Sequence, residues 1–135
     1  MSNVLKSQRN ESKTDFLEDI NNAFVESCKR IERLPKKLMV LKNKMYDLIF
    51  EAHTLVYEGN SIFPVNQHEV QLRRDKLIEA RAKLYAFKRV ISAVKEVAPL
   101  NTTSAAFWSG IIQKSIESLS KIITANRKQF KNLPD

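Results

Sequence analysis

Apolar residues recur along this chain at alternating intervals of three and four, the spacing that stacks side chains on one side of an α-helix. Leu17, Ile20, Phe24 and Ile31 open the pattern, and Leu38, Leu41, Met45, Leu48, Ala52 and Leu55 continue it. Val70, Leu77, Ala80, Leu84, Phe87, Ile91 and Val94 give the longest run, and Trp108, Ile112, Leu119 and Ile122 a fourth. Breakers separate the runs, so the pattern predicts helices over residues 14–33, 35–58 and 66–97, and a fourth from a cap within 101–104 to about 131. Asp15, Glu18 and Asp19 fall in the first turn of the first, where acids complement the helix dipole. Pro35 either starts the second helix or kinks a continuous one. Gly59 stands where a left-handed C-terminal cap is wanted, Asn66 and Glu69 form a capping box for the third helix, and Pro99 stops it. The third helix would be about 47 Å long at 1.5 Å per residue. Short links between long helices make neighbours antiparallel, so the expected fold is all-α, an antiparallel up-down four-helix bundle. One domain spans 14–131, with a flexible polar segment over 1–13 and a tail over 132–135. Ile49, Val56, Val90 and Val97 widen the apolar stripes, which either broadens the core or supplies a second buried surface between subunits.

Composition narrows the picture. Two glycines and four prolines in 135 residues favour helix over sheet. With 43% hydrophobic residues, a chain of this length supports one core. A single cysteine, Cys28, excludes an intramolecular disulfide and suits a reducing compartment; its neighbours Lys29 and Arg30 could lower its pKa, although a small core or boundary residue is the plainer reading. No apolar stretch approaches the roughly 20 residues that cross a bilayer, and residues 1–13 lack the apolar centre of a secretory signal. A cytoplasmic protein is expected. His53 and His68 lie apart with no Cys or His at metal spacing, His53 reading as a hydrogen-bonded helix residue and His68 as a surface one. No metalloprotease, glycine-rich phosphate-loop or paired-cysteine motif occurs. Glu51 and Glu58, seven apart, read as a solvated face or as salt-bridge partners of the third helix rather than a catalytic pair. No catalytic residue, cofactor, metal or small-molecule substrate is expected.

Charge supplies the functional signal. The chain carries a net +8 with a pI near 9.7. Residues 1–35 hold six basic and six acidic groups, whereas 66–97 hold eight against four and 98–135 five against two. Within the third helix Arg74, Arg81, Lys88 and Lys95 repeat every seven residues and form one line beside the apolar seam, with Arg73, Lys76, Lys83 and Arg89 adding to it. Such a face can hold phosphates without reading base sequence, and a helical cylinder suits structured RNA. Tyr85 is a candidate for stacking on a base; Phe87 belongs to the seam. The alternative is a structural or adaptor bundle whose cations run along the core edge, pair with Glu51, Glu58 or first-helix acids, or meet an acidic protein. A membrane surface fits less well, because no helix sets an exposed aromatic or leucine face against the stripe.

A resemblance joins these readings. The run Tyr57-Glu58-Gly59-Asn60-Ser61-Ile62-Phe63-Pro64, followed by Asn66, Glu69 and the pair Arg73-Arg74, with Leu34-Pro35-Lys36 before it, resembles the accessory variability determinant proteins of diversity-generating retroelements. These belong with the four-helix-bundle proteins related to the ribosomal RNA intervening-sequence family. The resemblance covers most of residues 30–97 and weakens in the first helix and after Pro99. It implies a homopentameric barrel with a positive surface that associates with a reverse transcriptase and its template RNA in mutagenic copying, with no activity of its own. Arg73 and Arg74 match the family's paired arginines. Asn60, Ser61 and Pro64 match its connecting segment, where they would fix the turn.

Overall fold

The computed structural model describes the backbone of residues 2–98 and 100–135, and the side chains of 14–98 and 100–135. Four helices account for nearly all of it: α1 (Ser2–Glu32), α2 (Met39–Asn60), α3 (Gln67–Val97) and α4 (Thr102–Gln129), with no strand among the described residues. A single 3-10 turn, Lys36–Leu38, follows Pro35 and leads into α2. Pro35 thus neither starts nor kinks an α-helix. Its φ of −59° and ψ of 143° are extended, and the helix resumes only after the turn.

Each helix packs on two others: α1 on α2 and α4, α3 on α2 and α4. The core between them holds Phe16, Ile20, Met45, Ile49, Leu77, Leu84, Phe87, Trp108 and Ile112. The seam expected for α3 is buried from Leu77 to Val94, with Val70 half-buried at its open end. In α4 all four expected positions are buried, and Trp108 donates its Nε1–H to Ser27 Oγ at 2.9 Å while meeting Phe87 edge-on. The stripe of α1 is rotated from its expected position. Phe16, Ile20, Ala23, Ser27 and Ile31 face inward, while Leu17 and Phe24 lie at its edge.

Several local expectations change. The helical backbone of α1 already includes Ser2, so Asp15, Glu18 and Asp19 lie well inside the helix and no longer complement its positive end. Asp19 instead pairs with Lys114 on α4 at 3.9 Å. The α1 C-terminus finds a buried cation, Lys42, whose Nζ donates to the carbonyl of Leu34 at 3.1 Å. His53 stacks between Phe24 and Tyr57, with no hydrogen bond of its own among the described residues, and burial pushes its pKa below the ordinary value. Burial raises the Cys28 thiol, the reverse of activation by Lys29 and Arg30. Of the four added apolar positions, Ile49 and Val56 are completely buried within the one chain, Val90 packs on the core edge, and Val97 is exposed. Pro99, expected to stop α3, lies outside the described residues.

The caps of α3 and α4 form as the sequence indicates. Asn66 Oδ1 accepts the N–H of Glu69 at 2.9 Å, and Asn101 Oδ1 that of Ser104 at 2.7 Å. Glu69 reaches one residue further back than a capping box requires, its Oε1 taking the N–H of Val65 at 2.9 Å. Ser61 closes α2, its Oγ donating to the Glu58 carbonyl at 2.7 Å.

Gly59 is not the left-handed cap. No described residue has positive φ, and α2 continues through Asn60. The glycine is there for proximity: a Cβ would lie 3.0 Å from Leu77 Cδ2 and 3.2 Å from Lys76 Cβ. Gly59→Ala therefore crowds the buried Leu77 side chain, and a loss of about 1–2 kcal/mol in urea unfolding is expected despite alanine's better helix propensity. A gain in stability would show that α3 yields easily there.

Candidate nucleic-acid interface

The cations of α3 divide between its two neighbours. Lys76 and Lys83 turn towards α2, where Lys76 Nζ lies 3.6 Å from Glu58 Oε2 and Lys83 Nζ 2.9 Å from Glu51 Oε2. The bond to Glu51 holds the Lys83 ammonium above the ordinary lysine value. Both pairs are largely exposed, so each adds little stability, yet each neutralises a charge locally. Glu51 and Glu58 are therefore taken by Lys76 and Lys83, not by the heptad stripe.

The stripe turns towards α4 and meets no carboxylate there. Arg81 Nη1 donates to Ser120 Oγ at 3.0 Å, and Lys88 Nζ donates to Gln113 Oε1 at 2.8 Å. Arg74 lines a cleft with Arg127 of α4. Lys95 lies at the far end beside Thr102 and Ser109. Ser120 and Gln113 are seven apart, as are Arg81 and Lys88, so the two bonds lie one heptad apart, about 10.5 Å at 1.5 Å per residue, and Arg127, seven beyond Ser120, shares the cleft of Arg74. The residues met are an amide, a hydroxyl and another cation. Neutral acceptors leave the full positive charge of Arg81 and Lys88 in place and orient it. Arg74, Arg89 and Lys95 have neither an ion pair nor a hydrogen bond among the described residues. The acid on this side is Glu117, bonded to Gln113 Nε2 at 3.3 Å.

Tyr85, 53% exposed, follows Arg81 by four residues and precedes Lys88 by three, so it shares their side of the helix. Phe87 is wholly buried. Arg89 lies exposed, four residues beyond Tyr85.

Arg73 departs from its expected place. It is only 8% exposed, and its guanidinium ties three elements together: Nε donates to Asn126 Oδ1 of α4 at 2.8 Å, and Nη1 to the carbonyl of Gly59 at 3.0 Å and of Ile62 at 3.4 Å. Burial lowers its pKa from the ordinary arginine value, and it remains charged. It is therefore no part of an open cationic surface. Adjacent residues on a helix point about 100° apart, so Arg73 and Arg74 take different surroundings.

No protein-family model, curated protein or solved structure matches this chain.

What the groove can do follows from its own chemistry. No helix among the described residues is long and apolar enough to cross a membrane, and no group of three or more potential metal ligands comes together in them. A line of cations without ion pairs among the described residues, with an exposed tyrosine beside it, offers contacts to a chain of phosphates. Missing from the sequence reading were Gln113, Ser120 and Arg127, the α4 wall. Their own seven-residue spacing was the available signal.

Proposed function

We propose that this chain is a non-enzymatic accessory protein that binds RNA along the groove between α3 and α4. The observation that carries this reading is the division of the cations. Those facing α2 are neutralised by Glu51 and Glu58, while Arg74, Arg81, Lys88 and Lys95 are held beside a wall that supplies no carboxylate to them. A cation that served only the fold would gain more from an acid across the interface than from an amide. The opposed order of contacts supports an up-down antiparallel bundle, with Trp108 on Ser27, Lys76 on Glu58 and Lys88 on Gln113. The resemblance at residues 57–74 extends the proposal to template RNA and the reverse transcriptase of a diversity-generating retroelement.

Template RNA binding is expected to weaken on the order of 10²-fold between about 50 and 200 mM salt, since about four phosphate contacts release their counterions. Filter binding across that range tests it, and affinity that is flat with salt would reject the groove as the RNA site. A flat response is what a purely structural bundle predicts, in which the bonds of Arg81 and Lys88 would serve only to seat α3 on α4.

Assembly into a homopentamer is part of the same proposal. The number comes from the resemblance. Support for association comes from the far side of the chain, where Phe50 and Tyr57 stay exposed beside Phe24 and His53. Copies meeting there would leave the α3–α4 groove open. Light scattering at micromolar concentration should give five times the chain mass of 15.6 kDa; a monomeric mass would remove this part of the proposal.

A further inference from the structure

Where the start of α3 meets the end of α4, a cleft of about 120 Å³ opens at one end of the groove. Arg73 and Arg74 reach it from α3 and Arg127 from α4, above the apolar side chains of Leu77 and Ile123. Among the described residues no carboxylate lines it. Asp75, the next acid along α3, is bonded to Gln71 Nε2 at 2.7 Å.

Three arginines line one cleft, so their like charges repel, and the apolar residues among them strengthen that repulsion by lowering the local dielectric. Arg73 is the most constrained of them. It is more than nine-tenths buried, its Nε and Nη1 are committed to neutral acceptors, and its Nη2 has no partner among the described residues. A buried cation without a counter-ion is costly. A bound anion would relieve both costs together. Pockets for drug-sized molecules have volumes of roughly 300–1,000 Å³, so this cleft suits one small group rather than a nucleoside. Guanidinium forks match the paired oxygens of a phosphate.

We propose that this cleft is a phosphate-binding site, in which Arg73 Nη2 and the guanidinium groups of Arg74 and Arg127 hold the oxygens of a single phosphate group. The inference deepens the proposed RNA reading by giving the groove a fixed anchoring end. The phosphate is supplied either by an RNA strand or by free inorganic phosphate.

The test titrates the full chain, labelled with nitrogen-15, with inorganic phosphate against chloride at matched ionic strength, following backbone amides and arginine Nε–H signals. Saturable shifts are expected at residues 67–74 and 123–127 at roughly millimolar phosphate, and about tenfold weaker binding in the double variant Arg74→Gln/Arg127→Gln, which retains Arg73 and so keeps its fold. Shifts that stay linear and spread over the exposed lysines and arginines would overturn the site, as would unchanged phosphate affinity in the double variant. A single-stranded RNA arm separates the sources. If RNA affinity falls with phosphate affinity in the variant, the phosphate belongs to the strand; if RNA affinity is untouched, the site takes free phosphate. Saturable phosphate binding in a chain that binds no RNA would leave this site standing and reject the RNA reading. RNA binding without saturable phosphate would do the reverse.

Discussion

Replacing Arg74, Arg81 and Lys88 with glutamate together should abolish RNA association while leaving the bundle folded. The triple change removes three phosphate contacts and sets three repulsive charges on the same line, so any residual binding should also lose about one unit of salt slope per contact. Folding should tolerate it because the α4 wall is neutral where it bonds the stripe. Ser120 Oγ and the Gln113 amide, which accept from Arg81 and Lys88, can turn and donate to carboxylates instead. Each position should therefore cost no more than about 1 kcal/mol. The matched control is Lys76→Gln with Lys83→Gln, on the α2 side. Those charges are already paired with Glu58 and Glu51, and RNA affinity should stay within about threefold, because exposed charges beyond a Debye length of about 10 Å at 0.1 M salt are largely screened. Equal losses from both sets in a binding assay would mean that overall charge matters and the groove does not. A folded triple variant that binds at full strength would place the RNA elsewhere.

Arg73 should show the opposite phenotype. Replacement by methionine, similar in length and without charge, is expected to lower unfolding free energy by about 2–3 kcal/mol, because Asn126 Oδ1 loses its donor and the Gly59 carbonyl keeps only the longer bond from the Ile62 N–H at 3.2 Å. Removing a buried cation returns part of its desolvation cost, which keeps the loss below that of a broken ion pair. Arg73→Glu should fail to fold, since it sets a buried carboxylate against three acceptors. Urea denaturation of the methionine variant checks the first, and circular dichroism the second. A methionine variant as stable as the parent would show that the three-way tie among α2, α3 and α4 contributes nothing to stability.

How much of this was legible from sequence depends on what each feature needs. The seam of α3 was readable because six of its seven positions, Leu77 to Val94, alternate by three and four without a break. The stripe of α1 was misphased because two of its inward positions are Ala23 and Ser27, which carry no strong apolar signal; Ser27 is buried by its bond to Trp108, far away in sequence. Charge type was visible and charge fate was not. Arg73 and Arg74 look alike in the chain and border the same cleft, and only the close approach of α2 at Gly59 decides that Arg73 is enclosed while Arg74 stays half-buried. Lys42 was invisible for the same reason: its role depends on three-dimensional proximity to the free carbonyls ending α1. The line of stripe cations was readable, whereas its partners on α4 were not, since register between helices is not written in either helix alone.

That register has a further consequence. Because Lys88, Arg81 and Arg74 meet α4 at Gln113, Ser120 and Arg127, the strength of the groove is adjustable from the wall that does not carry the stripe. A carboxylate at position 120 would convert Arg81 into an ion pair and mute that height alone, and a neutral residue at 127 would soften the end of the line. Related chains could strengthen or silence their hold on a polyanion one heptad at a time, by changes confined to α4, while the helix that carries the charge and its buried seam stayed untouched.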